Sequence, residues 1–279
     1  MPEGPGVPHP PHYPASRTLD RLVPPLRPKS EKEFPSPKEL RVGTGEMQGA
    51  APTPAVVPVG NYLLLDGAGY ATTPDHASLD ITGDIDIRIA VAMDDWTPVA
   101  NSFVVAKNLV SGGQGAYFLR VNTDAATTLQ WSTTGANGVD ADFTALTGPP
   151  ANGSLLLLKA TLDVDDGALQ RVANLSTKTS TPGGAASDLS ANSGWTLHDT
   201  KTGAVTSIFA SAADLVVGAT NNGAAGRVAG KVYAAVVKNG IDGTTVANPD
   251  FSSQPIGTTS FTDGTGKLWT LNGTASIAA

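Results

Sequence analysis

The decapeptide DIDIRIAVAM, residues 84–93, alternates between two kinds of side chain. Its odd-numbered positions, from Ile85 to Met93, are all large and apolar, whereas its even-numbered positions are Asp, Arg or Ala. A period of two residues is typical of a β-strand that buries one face. The decapeptide therefore predicts a half-buried strand, with the apolar side against a core and the mixed side outward.

Similar short apolar runs lie on both sides of this strand. They are separated by turn-forming clusters such as SGGQG, TGANG, DDG, TPGG, NNG and DGTG. No helical stripe is evident, apart from one turn near DHASLD. Many short strands with regular turns predict an all-β sandwich or jelly roll. The other predicted strands are residues 61–65, 102–107, 116–122, 127–133, 154–163, 168–175, 214–220, 227–238 and 267–273.

The first 59 residues have a different composition. They hold 14 of the 21 prolines, which fix φ and remove backbone donors. This favours an extended or polyproline II conformation without internal hydrogen bonds. The chain is therefore predicted to have two parts, an extended Pro-rich assembly arm (1–59) and a β-sandwich (60–279).

The predicted arm has charge and apolar side chains with which to bind a partner. Residues 17–41 contain seven basic and four acidic residues, whereas residues 60–279 contain 11 basic and 19 acidic residues. A disordered linker is the alternative, but an arm that becomes ordered on binding can wrap a large, acidic neighbouring surface. The predicted anchors are Arg17, Leu19, Arg21, Leu22, Leu26, Arg27 and Phe34.

The order of elements after residue 60 resembles a known family. The stretch LLDGAGYATTPDHASLDITGDIDIRIAV (64–91) is followed by AYFLRVN (116–122), LLLLKATLDVDDGALQRVANL (155–175) and DLVVGATNNGAAGRVAGKVYAAVVKNGI (214–241). This order is similar to that of concanavalin A-like sandwiches, specifically their laminin-G-like branch. The resemblance implies a jelly-roll sandwich preceded by the Pro-rich arm.

The last part of the chain carries a second resemblance. Residues 247–277, ANPDFSSQPIGTTSFTDGTGKLWTLNGTASI, look like the ending of laminin-G-like virion proteins of tailed actinobacteriophages, which are commonly labelled minor tail proteins. The resemblance implies a structural virion protein, assembled in the host cytoplasm and anchored to capsid or tail proteins by its arm. We also expect a homo-oligomer, with a trimer as one arrangement, and an outward sandwich that contacts host-surface glycan. A capsid decoration protein and a carbohydrate-binding adhesin are the alternatives.

Composition excludes several other classes of protein. The chain has no cysteine, so disulfides, thiolate zinc sites and cysteine nucleophiles are excluded. A net charge of −7 argues against general nucleic-acid binding. No apolar run reaches the ~18 residues of a membrane span, and the first residues lack a signal-peptide pattern. We therefore expect neither membrane insertion nor ordinary secretion.

The sequence also gives no support for catalysis. Glucanases that share the sandwich fold use an E-x-D-x-x-E strand, but all five glutamates of this chain lie in residues 1–59. A G-x-S-x-G elbow is absent, and the two histidines after residue 60, His76 and His198, lie in turn-like contexts. We therefore predict a protein that is not an enzyme and needs no cofactor.

Two sets of residues are weaker candidates for binding sites. Adjacent carboxylates in DVDDG (163–167) and MDDW (93–96) could bind Ca²⁺ at a rim loop, with Asp163, Asp165 and Asp166 as the named ligands. The alternative is that DDG simply forms a hairpin turn. Among the tryptophans, Trp131 and Trp269 are predicted to lie in the core. Trp96 and Trp195, at loop edges, could stack on a sugar or pack at the edge of the sandwich.

Overall fold

The computed structural model describes residues 60–136, 138–146 and 150–279. The arm and its seven anchors lie outside these ranges. Within them the chain forms one α-helix, α1 (Ala185–Ser190), and 3₁₀ turns at Ala77–Leu79, Pro182–Gly184 and Phe251–Ser253. The strands are β1 (Tyr62–Asp66), β2 (Tyr70–Thr73), β3 (Ile85–Met93), β4 (Ser102–Leu109), β5 (Gln114–Val121), β6 (Thr127–Ser132), β7 (Gly138–Asp142), β8 (Leu156–Asp163), β9 (Gln170–Lys178), β10 (Thr196–Ala204), β11 (Leu215–Val217), β12 (Ala229–Asn239), β13 (Thr244–Ala247), β14 (Ser260–Thr262), β15 (Leu268–Asn272) and β16 (Ser276–Ala278).

These strands form two antiparallel sheets. Sheet A has the order β10-β9-β8-β3-β12-β1-β16, and β13 also pairs with β12. Sheet B has the order β14-β15-β2-β11-β4-β5-β6-β7. Apolar side chains from both sheets form one core. The predicted all-β jelly-roll sandwich is therefore confirmed. No helix in the described ranges is long and apolar enough to cross a membrane.

The core contains the residues that the alternation selects. The apolar side of β3, from Ile85 to Met93, is almost completely buried. Trp131 and Trp269 are buried in the same core, as predicted. The ten predicted strands, including residues 84–93, correspond to β1, β3, β4, β5, β6, β8, β9, β11, β12 and β15.

The prediction that β3 is half-buried is wrong, because its outward side is buried as well. The helix α1 packs on the outer face of sheet A, where Leu189 and Ala185 contact a cluster that includes Ala90 and Ala92. The six-residue helix escaped prediction because it is too short to show a helical stripe. A sequence pattern within one strand does not reveal what covers its second face.

The charged residues of β3 are buried together with a complete set of partners. Arg88 forms a paired hydrogen bond with Asp86, at 3.0 Å from Nε to Oδ1 and 2.7 Å from Nη2 to Oδ2. Its Nη1 donates to the carbonyls of Leu189 at 2.8 Å and Ala191 at 2.9 Å, at the end of α1. Its Nη2 also contacts Asp242 Oδ1 at 2.5 Å. Arg88 therefore ties α1 and the loop after β12 to sheet A.

Candidate functional site

A cleft of about 230 Å³ opens at one end of the sandwich, where β3 ends and β12 begins. We call it the end cleft. Both strands reach its floor because Gly230, with φ +144°, lets β12 pass close to β3, and a Cβ there would lie 2.4 Å from the Ala92 carbonyl. The lining residues are Met93, Asp94, Asp95, Pro98, Val99, Ala100, Ser102, Arg227 and Ala229.

The loop that forms one wall of the end cleft is fixed by local hydrogen bonds. The Asp94 amide donates to the Ala229 carbonyl at 3.1 Å. Asp95 Oδ1 accepts from the amide of Thr97 at 2.8 Å and from its hydroxyl at 2.9 Å. The Trp96 amide donates to Asn152 Oδ1 at 3.1 Å, and the Trp96 ring is buried in the core. The wall is therefore held in place by contacts on both sides of Asp95.

The end cleft places unpaired polar groups beside an apolar surface. Val99 is fully exposed, whereas Pro98 is partly buried. The Asp94 carboxylate accepts no hydrogen bond from the residues that the structure describes. Arg227 donates Nε to the Gly223 carbonyl at 2.8 Å, donates Nη1 to the Ala68 carbonyl and lies over a tyrosine ring. Its Nη2 has no partner in the described ranges. The residues that line the cleft thus include an aspartate with an unpaired carboxylate and an arginine with one unpaired nitrogen.

The outer face of sheet B carries a second polar region, but it has little depth. Arg120 donates to Asn122 at 2.9 Å, Asn122 donates to Thr128 at 2.9 Å, and Thr128 donates to Asp142 at 2.6 Å. A groove of about 40 Å³ near Phe118 lies on the same face. A volume of this size holds about one water molecule. The end cleft is therefore the better place for a ligand.

The three aspartates proposed as calcium ligands form a hairpin turn between β8 and β9. Asp163 Oδ1 accepts from the Asp165 amide at 3.1 Å, and Asp166 Oδ1 accepts from the Ala168 amide at 2.8 Å. Burial and the neighbouring carboxylate of Asp84 raise the pKa of Asp163. No group of three His, Cys, Asp or Glu residues in the described ranges is arranged to hold a metal ion. Calcium binding at this hairpin stays a prediction.

The two tryptophans proposed to stack on a sugar have different environments. Trp96 is only 1% exposed, so its ring cannot present a face to a ligand and the stacking prediction for it is wrong. It sits in the core because its loop folds back between β3 and Asn152. Trp195 is partly buried, with Arg88 5.7 Å and Lys178 5.8 Å from its ring centroid. Sugar stacking on Trp195 stays a prediction.

Some residues of the end cleft could not be identified from the sequence. The MDDW stretch did draw attention to Asp94 and Asp95, but as calcium ligands. Val99 and Arg227 carry no signal, because their contribution depends on two distant loops meeting at one end of the sandwich. His76 caps a 3₁₀ turn through Nδ1, as a locally bonded histidine would, whereas His198 lies in β10 and not in a turn.

Comparison with known proteins supports the fold. No protein-family model and no curated protein matches the chain. A solved candidate carbohydrate-binding protein from Bacteroides ovatus has a TM-score of 0.51 at 11% identity, over 79% of this chain and 60% of that one. The CBM40 of the Ruminococcus gnavus IT-sialidase, bound to α2,3-sialyllactose, has a TM-score of 0.46 at 14% identity, over 65% and 90%. The heptameric SAP-like pentraxin from Limulus polyphemus has a TM-score of 0.40 at 8% identity, over 65% and 77%.

The similarity to the Bacteroides ovatus protein is one of fold, and the chain spans about three-fifths of the length of that protein. The two-sheet sandwich is consistent with the concanavalin A-like arrangement that the sequence resembles. At such low identity the likeness concerns the fold and not the ligand.

Proposed function

We propose that the protein binds glycan in the end cleft. The observation that carries the proposal is a cleft lined by Asp94 and Arg227, each with an unpaired polar group, beside the exposed Val99 and the partly buried Pro98. Sugar hydroxyls both donate and accept hydrogen bonds, whereas sugar C–H faces pack on apolar side chains. A similar fold in a candidate carbohydrate-binding protein makes glycans the first ligands to test. The proposed activity is binding without catalysis.

The test uses the full chain on a glycan array, followed by titration of the best ligand. Val99→Asp should weaken binding about tenfold, because it removes an apolar contact and adds negative charge. Ile256→Asp is the matched control, since Ile256 is also an exposed aliphatic residue but does not line the cleft. No binding to any glycan, or equal losses in both variants, would contradict the proposal.

We also propose that the protein is a structural virion component, a minor tail protein of a tailed phage. Its arm (1–59) would anchor it to other virion proteins, and its sandwich would face the host surface. The proposal is supported by the resemblance of residues 247–277 to such proteins and by the proline and charge content of the arm. A capsid decoration protein with the same arrangement is the alternative, and a carbohydrate-binding adhesin remains compatible with both.

Deletion of residues 2–59 tests the role of the arm. The truncated protein should no longer incorporate into particles, although its sandwich is intact. Purified particles would be compared by immunoblot and by electron microscopy with a label on the sandwich, which also distinguishes tail from capsid. Normal incorporation of the truncated protein would rule out anchoring by the arm.

A further inference from the structure

We propose that the end cleft accepts one neutral sugar residue and discriminates against acidic sugars. This inference rests on the proposed glycan-binding function. It follows from the charges that line the cleft, the hydrogen bonds already made by those charges and the size of the cleft.

The charges that line the cleft are unequal. Asp94 and Asp95 contribute two carboxylates, against the single guanidinium of Arg227. No ion pair joins Arg227 to either carboxylate in the described ranges, so the guanidinium does not directly neutralise them. Residues 60–279 as a whole contain 19 acidic and 11 basic residues. An anionic ligand would therefore approach against the charge of both the cleft and the surrounding domain.

The guanidinium of Arg227 is also poorly arranged to compensate a ligand carboxylate. Its Nε and Nη1 already donate to the carbonyls of Gly223 and Ala68. Carboxylates are bound best by two parallel N–H donors of one guanidinium. Because Nε is engaged, the side-on pair formed by Nε and Nη2 is closed to a ligand. A carboxylate could then approach only end-on, through Nη2 and the second N–H of Nη1, whereas a hydroxyl acceptor needs Nη2 alone.

A neutral sugar satisfies both free groups together. One hydroxyl can donate to the Asp94 carboxylate while a neighbouring hydroxyl accepts from Arg227 Nη2. The C–H face of the ring would then lie on the exposed Val99 and on the accessible part of Pro98. Such an arrangement leaves neither free group unpaired and adds no charge to the cleft.

The size of the cleft limits what it can enclose. Its volume of about 230 Å³ lies below the range of about 300–1,000 Å³ that is typical of sites for drug-sized ligands. The cleft therefore encloses one sugar residue, and the rest of a longer glycan would extend into solvent.

The experiment compares matched neutral and acidic sugars on the full chain. The probes are lactose against 3′-sialyllactose, galactose against galacturonic acid, and glucose against glucuronic acid, titrated by ligand-observed NMR at low salt. In each pair that binds, the neutral member should bind at least about fivefold more tightly. The ratio of the dissociation constant of the acidic member to that of the neutral member should fall as salt is raised, because salt screens the carboxylates.

Two variants assign the discrimination to the cleft. Asp94→Asn keeps an acceptor oxygen but removes a charge. The acidic member should therefore bind more tightly, and the ratio of the acidic to the neutral dissociation constant should fall. Asp140→Asn removes a charge from the exposed edge strand β7, and the ratio should be unchanged. If acidic members bind equally well or better, the inference is wrong while the proposed glycan binding stands. If neither member of any pair binds, and the glycan array is also negative, both proposals fail.

Discussion

Asp263 shows how one buried carboxylate can organise a hairpin. Its Oδ1 accepts from the Thr265 amide at 2.8 Å and the Lys267 amide at 3.0 Å. Its Oδ2 accepts from the Asn248 amide and from Trp269 Nε1, both at 2.9 Å. Burial alone would raise the pKa of Asp263, but these hydrogen bonds outweigh burial and hold the pKa below its ordinary value. The ionised carboxylate is therefore the form that stabilises the fold.

This pKa shift predicts a loss of stability in acid. Because the pKa is lower in the folded than in the unfolded state, the contribution is complete above the ordinary pKa of an aspartate, about 3.9, and is lost as the pH falls through the lower pKa of the folded state. Asp263→Asn should lower the free energy of unfolding by about 2–3 kcal/mol at pH 7 and by less at the most acidic pH at which the protein still folds. Urea unfolding at several pH values measures both effects. An equal loss at both pH values would contradict the prediction, and Asp140→Asn is the exposed control.

For Arg88 the sequence predicts the side of β3 on which the residue lies, but not its burial. Its place on the outward side of β3 followed directly from the alternation. Its burial did not, because its partners other than Asp86 lie about 100 or more residues away along the chain, among them Leu189, Ala191 and Asp242. A buried ion cluster of this kind is recognised only once those segments are placed in space.

The helix α1 is stable only because of its surroundings. A helix of six residues does not form by itself in water. Leu189 and Ala185 bury its apolar side against sheet A, and Arg88 binds the carbonyls at its end. Packing and capping therefore act together on this element.

Replacing the main apolar contact of α1 should release the helix. Leu189→Ala is expected to lower the free energy of unfolding by about 2–4 kcal/mol, since it leaves a cavity under the helix. Limited proteolysis should then cut within residues 180–195 faster than in the wild type. Ser187→Ala, at an exposed position of the same helix, provides the control. If the two variants melt and are cleaved alike, the packing of Leu189 is not what holds α1.

Prediction of elements succeeded where the pattern is local. Strands such as β3, β8 and β12 are long and apolar, so their sequences identify them. The exposed edge strand β10 has no buried alternation, and strands of three residues such as β14 and β16 are too short to show a period. The end cleft could not be predicted from the sequence for a different reason. Its loops meet only through the pairing of β3 with β12.

At the scale of the whole molecule, residues 60–279 contain both sheets and their common core. The fragment 60–279 should therefore fold by itself and unfold in one cooperative transition, because its two sheets share one core. Calorimetry and circular dichroism of the fragment and the full chain test this expectation. A fragment that aggregates, or that unfolds without a cooperative transition, would show that residues 1–59 are needed for folding.

The position of β1 has a mechanical consequence. The chain enters β1 at Tyr62, and the other end of β1 pairs with Ala229, which lines the end cleft. A pull at residue 60, against a ligand held in the cleft, would act along β1 and away from the first residues of β12. Hydrogen bonds between antiparallel strands run perpendicular to that direction. The force would therefore load all the bonds between β1 and its neighbours β12 and β16 in shear at once, and would not open them one by one.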